Sequence, residues 1–267
     1  MKALTWKWHW PTNEGLPPLS LVALLLVTLL ALGATSAWVD IDLVRLLSST
    51  GKLLDFLLKL VVFPEWDYFP ILGTKMLETL EIGFLSTTFS LILSLPLGIL
   101  AAQNSSPHPA VYHLSRNLLI FMRALPEMVW ALVFVSAVGL GPLPGILALI
   151  FVNISFMAKL FAESFEVVDA KVIEGVVSTG AGWLQLINFA ILPQCYPDLI
   201  SITLYIFDNN VRAATIIGIV GGGGIGYELF MSFRLFNFNR LLVILGVIYL
   251  AVTVLDRISN LLRSRII

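Results

Sequence analysis

Long apolar stretches separated by short polar interruptions dominate the pattern of this chain. A helix needs about 20 predominantly apolar residues to cross a bilayer, and six stretches approach or exceed that length. We predict membrane-spanning helices at about residues 19–39, 74–102, 114–138, 145–161, 193–219 and 240–255. The pattern therefore predicts an all-α, polytopic membrane helix bundle.

The N-terminal region differs from the rest of the chain. Residues 40–67 carry mixed charges, and their leucines recur at helical spacing, which is typical of an amphipathic helix lying on the membrane surface. We therefore divide the chain into 1–70, one spanning helix plus this surface segment, and 71–267, the transmembrane domain.

The first apolar stretch also has features of a secretory signal peptide. Lys2 and Lys7 flank it, and residues 34–37 would be tolerated at a cleavage site. Residues 15–39 contain no charge, however, and exceed the roughly 7–15 residues of a secretory apolar region. We favour an uncleaved spanning helix, with the signal peptide as the alternative.

The composition agrees with a membrane protein and narrows its chemistry. Apolar residues make up 58% of the chain and charged residues 12%, whereas a soluble domain carries about 25% charged residues. No basic block is present to bind nucleic acid. A single cysteine, Cys195, and three histidines outside the predicted spans give no basis for a metal site.

Lysines and arginines near the span ends predict the orientation. The C-terminal tail carries Arg257, Arg263 and Arg265 and is expected in the cytoplasm. Six spans then place the N-terminus and the polar stretch 163–182 in the cytoplasm as well, and the uncharged turn 139–144 outside.

That polar stretch has a defined internal pattern. Residues 170–178 have helical character, Gly180 and Gly182 can end the helix, and Pro193 can begin the next span. We predict a helix-turn-helix on the membrane surface, suited to a groove on a partner protein. The alternative is an ordinary cytoplasmic loop.

A run of glycines precedes the last predicted span. Gly221, Gly223 and Gly226 match a dinucleotide-binding pattern only formally, because a membrane span precedes them. No P-loop motif occurs in the chain, so we expect neither enzyme activity nor ATP binding here. Two interpretations of Gly221, Gly222, Gly223 and Gly224 stay open, a flexible turn, or a closely packed gate or hinge. We predict an irregular connection over residues 218–239.

Two arginines lie within predicted spans, each with an acid four residues away. These are Arg123 with Glu127 and Arg212 with Asp208. The first interpretation is two self-neutralised structural pairs. The second is that the arginines and nearby asparagines line a path for an anion. The candidate path residues are Arg123, Arg212, Asn209 and Asn210.

The spacing of the polar stretch resembles the EAA loop of ABC-importer permeases. In that family a Glu-Ala-Ala sequence is followed by Gly six residues after the Glu and Pro thirteen after the Gly. The same intervals separate Glu174, Gly180 and Pro193. The chain departs from the pattern at Gly175 and Val176, which replace two alanines. The resemblance implies a cytoplasmic coupling helix that docks on an ATPase.

Further stretches resemble the phosphonate ABC-transporter permease subunit (PhnE-type). These stretches are residues 123–132, 139–142, 159–163, 209–216 and 218–221. Together with the polar stretch, they extend the resemblance over about 75–265. This implies a type I importer permease with the MetI-like fold in a bacterial plasma (inner) membrane. The implied cargo is phosphonate or a related anion such as phosphite, hypophosphite or phosphate.

The resemblance also implies a set of partners. Two copies of the chain would pair in the lipid bilayer, with two ABC ATPase subunits inside and a periplasmic or lipid-anchored substrate-binding protein outside. The chain itself would hold no cofactor, because ATP and Mg would bind to the ATPase. Two alternatives remain, a permease for another solute such as methionine, and a stand-alone channel or secondary transporter.

Overall fold

The computed structural model describes residues 19–38, 48–60 and 65–265, and every regular element in these ranges is a helix. The chain divides into two compact units, Met1–Leu57 and Leu58–Ile267. The assignment of 1–70 as a separate N-terminal region stays a prediction.

The described residues before 65 include two helices, α1 (Leu19–Trp38) and α2 (Thr50–Leu60). Helix α1 lies within the first predicted span, but its described apolar side chains cover only Leu21–Ala31, less than a full span. The first span therefore stays a prediction. Helix α2 falls within the predicted amphipathic segment, whose remaining parts at 40–47 and 61–64 lie outside the described residues.

The second unit contains a 3-10 helix (Trp66–Tyr68), a helical bundle and two short connecting elements. A π-helical segment, Ile187–Ile191, joins α8 to α9. The α-helices are α3 (Phe69–Ala101), α4 (Pro109–Met122), α5 (Glu127–Val138), α6 (Pro142–Glu166), α7 (Ala170–Val177), α8 (Trp183–Leu186), α9 (Leu192–Ile219), α10 (Gly224–Arg234) and α11 (Phe238–Arg263).

Four helical runs in the described part of the chain are long and apolar enough to cross a membrane. They are Trp66–Ala101, Pro142–Glu166, Trp183–Ile219 and Phe238–Arg263. A fifth results if the bent pair α4 and α5 counts as one span. These runs contain the second, fourth, fifth and sixth predicted spans, except for residue 102, and the prediction of an all-α polytopic bundle is confirmed.

The third predicted span, 114–138, is not one straight helix. Helices α4 and α5 meet at an angle of 80°. Pro126 has no backbone N–H, and its ring disfavours the helical conformation at the preceding Leu125. The chain therefore leaves the helix at Arg123 and begins a new one at Glu127.

Close helix packing organises the core of the second unit. Helix α3 packs most extensively against α6, and Gly98 permits this approach. A Cβ atom added at Gly98 would lie 2.9 Å from Cβ of the fully buried Phe161. Small residues at helix contacts are typical of membrane bundles, where van der Waals packing drives association.

Helix α6 separates the two regions that carry the sequence motifs. It has 25 residues, which corresponds to a length of about 37 Å. The polar stretch continues from its C-terminal end, at Glu166. At the N-terminal end the Gly141 amide donates a hydrogen bond of 3.0 Å to the Gly221 carbonyl. The polar stretch and the glycine run therefore lie at opposite ends of the bundle.

Candidate functional site

The α7 segment, defined as residues 169–182, contains all the predicted coupling residues except Pro193, which lies in α9. Asp169 caps α7, since its carboxylate accepts a hydrogen bond of 3.0 Å from the Lys171 amide. Glu174 and Gly175 are exposed, while Val176 is partly buried and packs against the core. One face of α7 thus holds the helix on the bundle, and the face that carries Glu174 is available to a partner.

Gly180 ends this segment with a backbone conformation that favours glycine. Its φ angle is +82°, in the left-handed region where other residues pay a steric cost. The Gly180 amide donates to the Val177 carbonyl at 2.9 Å, closing the turn after α7. Gly175 is different, because a Cβ atom added there would meet nothing within 4 Å. The departure from alanine at Gly175 is therefore sterically neutral.

The exit from the segment is anchored on a neighbouring loop. The Gly182 amide donates to Oε1 of Gln185 at 2.8 Å, and Trp183 Nε1 donates to the Ser105 carbonyl at 2.6 Å. The helix then continues through the π-helical segment to Pro193 in the first turn of α9. Pro193 lies near the start of α9, as predicted, but within a helical run that begins at Trp183.

An open cavity of about 550 Å³ adjoins α7. Residues of α7, the following turn and the π-helical segment line it, including Thr179, Gln185 and Phe189. The Phe189 ring is 73% exposed and Val177 is 51% exposed. An apolar surface beside exposed polar groups is suited to contact with another protein.

The glycine turn, defined as residues 221–224, is closely packed rather than loose. Positive φ angles occur at Gly221, Gly223 and Gly224. A Cβ atom added at Gly218 would lie 2.6 Å from the Gly223 carbonyl oxygen. The close-packing interpretation of the glycines therefore fits the structure, and their role as a gate or hinge stays a prediction.

The prediction of an irregular connection over 218–239 was wrong, because α10 occupies Gly224–Arg234. Two side chains of α3 satisfy the first amides of this helix. Glu78 Oε1 accepts from the Gly224 amide at 3.0 Å, and Thr79 Oγ1 accepts from the Ile225 amide at 2.8 Å. A carboxylate at a helix N-terminus also interacts favourably with the helix dipole. No local sequence pattern indicates this cap, because its two partners lie about 146 residues apart in the chain.

A second contact fixes α10 through its middle. The Tyr68 hydroxyl donates to Glu228 Oε2 at 2.6 Å. The Arg240 guanidinium lies 3.9 Å from the centroid of the Tyr68 ring, and its Nε donates to Glu65 Oε2 at 3.1 Å. These groups join the 3-10 helix, α10 and α11 at the end of the bundle that holds the glycine turn.

Arg123 and Glu127 do not form the pair that their spacing predicted. Arg123 caps the C-terminal end of α4, and Glu127 is the first residue of α5, beyond the 80° bend. None of the ion pairs among the described residues joins the two. The four-residue spacing places side chains on one face only within a continuous helix, and here the helix is broken.

Arg212 forms the pair that the sequence predicted and gains a second acid. In the Arg212 cluster, defined as Asp208, Arg212 and Asp256, the guanidinium contacts Asp208 on α9 and lies 3.2 Å from Asp256 Oδ1 on α11. Two carboxylates therefore surround one cation. The role of Arg212 in an anion path stays a prediction.

The two candidate asparagines have different surroundings. Asn209 is exposed, whereas Asn210 is fully buried. Asn210 Oδ1 accepts from Asn153 Nδ2 at 2.6 Å, and Asn210 Nδ2 donates to Thr87 Oγ1 at 2.8 Å. This buried network joins α3, α6 and α9 and has no counterpart among the sequence predictions. The path roles of both asparagines stay predictions.

No group of three or more His, Cys, Asp or Glu side chains among the described residues could hold a metal ion. The lone Cys195 is buried, and its Sγ lies 3.4 Å from the Ser164 carbonyl oxygen. The expectations that the chain binds no metal and no cofactor are not tested by these observations.

A protein-family model matches residues 94–267 of this chain, and it is described as binding-protein-dependent transport system inner membrane component. The match covers α4 to α11 and the last part of α3. It includes the α7 segment, the glycine turn and both candidate arginines.

Two similar proteins are named as transport permeases. The phosphate-import permease protein PhnE of Mycolicibacterium smegmatis is 45% identical over 208 residues, which cover 78% of this chain and 39% of that protein. The phosphite transport system permease protein PtxC of Stutzerimonas stutzeri is 38% identical over 189 residues, covering 71% of this chain and 69% of that protein. This chain thus spans about two fifths of the Mycolicibacterium relative.

Two solved structures share the fold. An inward-facing MetNI methionine ABC transporter matches with a TM-score of 0.66 and 19% identity, over 75% of this chain and 98% of that chain. An amino acid ABC transporter crystallised with histidines matches with a TM-score of 0.63 and 16% identity, over 74% and 95%. The predicted MetI-like permease fold is confirmed, and at these identities the likeness establishes the fold alone.

Proposed function

Because this chain belongs to the family of binding-protein-dependent transport system inner membrane components, we propose that it is the permease subunit of an ATP-driven importer for a phosphorus oxyanion. The cargo class comprises phosphonate, phosphite, hypophosphite and phosphate. The chain supplies the membrane path, a binding protein delivers the anion, and a partner ATPase binds ATP and Mg and hydrolyses the ATP.

The cargo class rests on the two similar permeases. One is named for phosphate import and is 45% identical to this chain, and the other is named for phosphite transport and is 38% identical. The methionine transporter matches in fold at only 19% identity. A methionine-type cargo therefore remains the second choice. Identity across the membrane domain supports a class of cargo.

The α7 segment is the proposed contact with the ATPase. Its exposed Glu174 and the exposed apolar side chains of Val177 and Phe189 lie beside an open cavity. A short helix presented in this way fits a groove on a partner by the helix-in-groove mode. The hydrogen bond from Trp183 Nε1 to the Ser105 carbonyl ties the end of the segment to a neighbouring loop of the bundle.

The proposed assembly has two copies of this chain, two ABC ATPase subunits and a periplasmic or lipid-anchored substrate-binding protein. The α7 segment and both termini lie in the cytoplasm, and the glycine turn faces the outer side. ATP binding and hydrolysis would alternate the path between outward-open and inward-open states. The glycine turn, capped by Glu78, would act as a gate or hinge between them.

Reconstituted transport tests the proposal. The chain is placed in liposomes with its ATPase and binding protein, and uptake of phosphite, a phosphonate and methionine is measured with and without ATP. We expect ATP-dependent uptake of a phosphorus anion and none of methionine. Uptake of methionine without uptake of either phosphorus anion would instead assign a methionine-type cargo. Uptake that needs neither ATP nor the ATPase would instead indicate a channel or a secondary transporter.

A further inference from the structure

A small cavity near the end of the bundle that carries the α7 segment collects three basic side chains. It has a volume of about 90 Å³ and lies among α3, α4 and α6. We call it the basic cavity. The basic residues that line it are Arg116, Arg123 and Lys159, and the remaining lining is mainly apolar, from Ala101, Leu119 and Ala162.

Carboxylates neutralise two of the three cations. Arg116 Nη2 lies 2.8 Å from Glu166 Oε1, and Lys159 Nζ lies 3.4 Å from Glu163 Oε1. Arg123 has no ion pair among those of the described residues, because Glu127 lies beyond the helix bend. These five side chains together carry one net positive charge, and the guanidinium without a carboxylate is the one at the break between α4 and α5.

We infer that the basic cavity is a binding site for a phosphate-type oxyanion. A guanidinium offers several N–H donors in one plane, which match the oxygens of a phosphate group. A cavity of this size holds several water molecules, which corresponds to the space that one tetrahedral oxyanion needs. The Arg116 and Lys159 side chains are 40% and 46% exposed, so water screens part of their attraction for an anion, and the fit rests mainly on the guanidinium donors.

Arg116 is held in place before any anion binds. Its Nε donates to the Ala101 carbonyl at 3.1 Å, and its guanidinium carbon lies 4.7 Å from the centroid of the Tyr112 ring. The Glu166 carboxylate that pairs with it also accepts from the Gln103 amide at 2.8 Å. A preorganised cation loses less conformational entropy when a ligand binds. Arg116, paired with Glu166, would therefore offer prearranged N–H donors to the anion. Arg123, which has no carboxylate partner among the described ion pairs, would supply the net positive charge.

The inference goes beyond the proposed function, because it rests only on the charge and space of the cavity. A phosphate group reaches this place from two sources. One is a free oxyanion in solution, and the other is the headgroup of an anionic lipid, since basic pockets between helices near a membrane surface bind such headgroups.

Binding of inorganic phosphate tests the first source. The full chain, in complex with its ATPase, is placed in nanodiscs of phosphatidylcholine alone, and phosphate is titrated at constant ionic strength in a calorimeter. We expect saturable binding that Arg123→Gln weakens at least about tenfold, the loss of roughly one charged hydrogen-bonding group. Arg234→Gln at the other end of the bundle is the matched control and should leave the affinity unchanged.

Lipid retention tests the second source. Nanodiscs with phosphatidylglycerol replace the neutral ones, and lipid carried through purification is counted by native mass spectrometry. Retention that Arg123→Gln abolishes and Arg123→Lys partly restores assigns the site to a lipid headgroup. If the glutamine variant fails to assemble, Lys159→Gln provides the same comparison.

The inference is overturned if neither phosphate nor phosphatidylglycerol distinguishes the Arg123 and Lys159 variants from Arg234→Gln. Neither arm uses ATP hydrolysis or transport. Failure here therefore leaves the proposed importer function intact, and failure of transport leaves this site intact.

Discussion

Glu78 is an acid within a membrane span that has a structural role. Its carboxylate accepts from the Gly224 amide and lies 2.7 Å from Lys75 Nζ. It therefore satisfies an unpaired amide at the start of α10 and is itself neutralised. A charge within a span is costly unless it is paired, and here the pairing links α3 to a helix 146 residues away in sequence.

We expect Glu78→Ala to destabilise the complex by about 0.5–2 kcal/mol, the cost of losing a helix cap. Glu78→Gln keeps an oxygen that can accept from Gly224, so its effect should be smaller. The measurement is the thermal stability of the purified complex, with the intact fraction after heating quantified by size-exclusion chromatography. Glu81→Ala, an exposed acid one turn further along α3, is the control. Equal shifts for Glu78→Ala and Glu81→Ala would contradict the capping role.

Variants of Arg212 can distinguish a structural role of this residue from a role in transport. Arg212→Gln leaves Asp208 and Asp256 together without a cation, and we expect less folded complex. The Asp208 and Asp256 side chains are 15% and 40% exposed, so the cost should lie below the about 3–5 kcal/mol of breaking a fully buried pair. The double variant Arg212→Gln with Asp208→Asn restores the net charge of the cluster. We expect it to recover both the amount of complex and the uptake per complex. Recovered complex with persistently low uptake would instead assign Arg212 to the anion path.

Helix α7 and its turn carry two glycines with opposite requirements. Gly175 is helical with open space at its Cβ position, so Gly175→Ala should stabilise α7 by about 1 kcal/mol and retain uptake. Gly180 has a φ angle of +82°, so Gly180→Ala should strain the turn by about 1–2 kcal/mol and lower uptake. ATP-dependent uptake and ATP hydrolysis are measured for both variants. Loss of uptake in Gly175→Ala alone would indicate that Gly175 has a direct contact with the ATPase.

Four of the spanning helices could be predicted from hydropathy, but two features of the bundle could not. The bend between α4 and α5 was missed because apolar residues continue across it and Pro126 is tolerated in many membrane helices. Helix α10 was missed because its glycines and polar residues resemble a loop. Its N-terminus is stabilised by Glu78 and Thr79 of α3, and local sequence patterns contain no information about so distant a contact.

In the candidate site, too, local features could be predicted from the sequence and contacts between distant residues could not. The predicted coupling spacing corresponds to an exposed, capped helix, because caps and glycine turns are local features. The pair between Arg123 and Glu127 failed, since it assumed a continuous helix. The network of Asn210 with Asn153 and Thr87 could not be predicted, because it joins residues of three separate helices.

The bundle connects the α7 segment to the glycine turn through the 25-residue helix α6. The core around Phe161 and Phe165 fixes α6 near the α7 segment, and the contact between Gly141 and Gly221 fixes its other end. In the proposed assembly, a displacement of α7 by the ATPase would be transmitted through α6 to the opposite end of the bundle. The proposed assembly requires that these two ends lie on opposite sides of the membrane.

Site-specific crosslinking tests that requirement. The single native cysteine, Cys195, is buried, so a cysteine introduced at an exposed position should dominate the reaction. We expect Ser178→Cys, in the turn after α7, to crosslink to the ATPase, and Arg234→Cys, at the end of α10, to crosslink only to the binding protein. A crosslink from residue 178 to the binding protein alone would overturn both the coupling assignment and the proposed orientation.

Glu174→Ala should lower uptake and transport-coupled ATP hydrolysis while the complex stays assembled in the membrane.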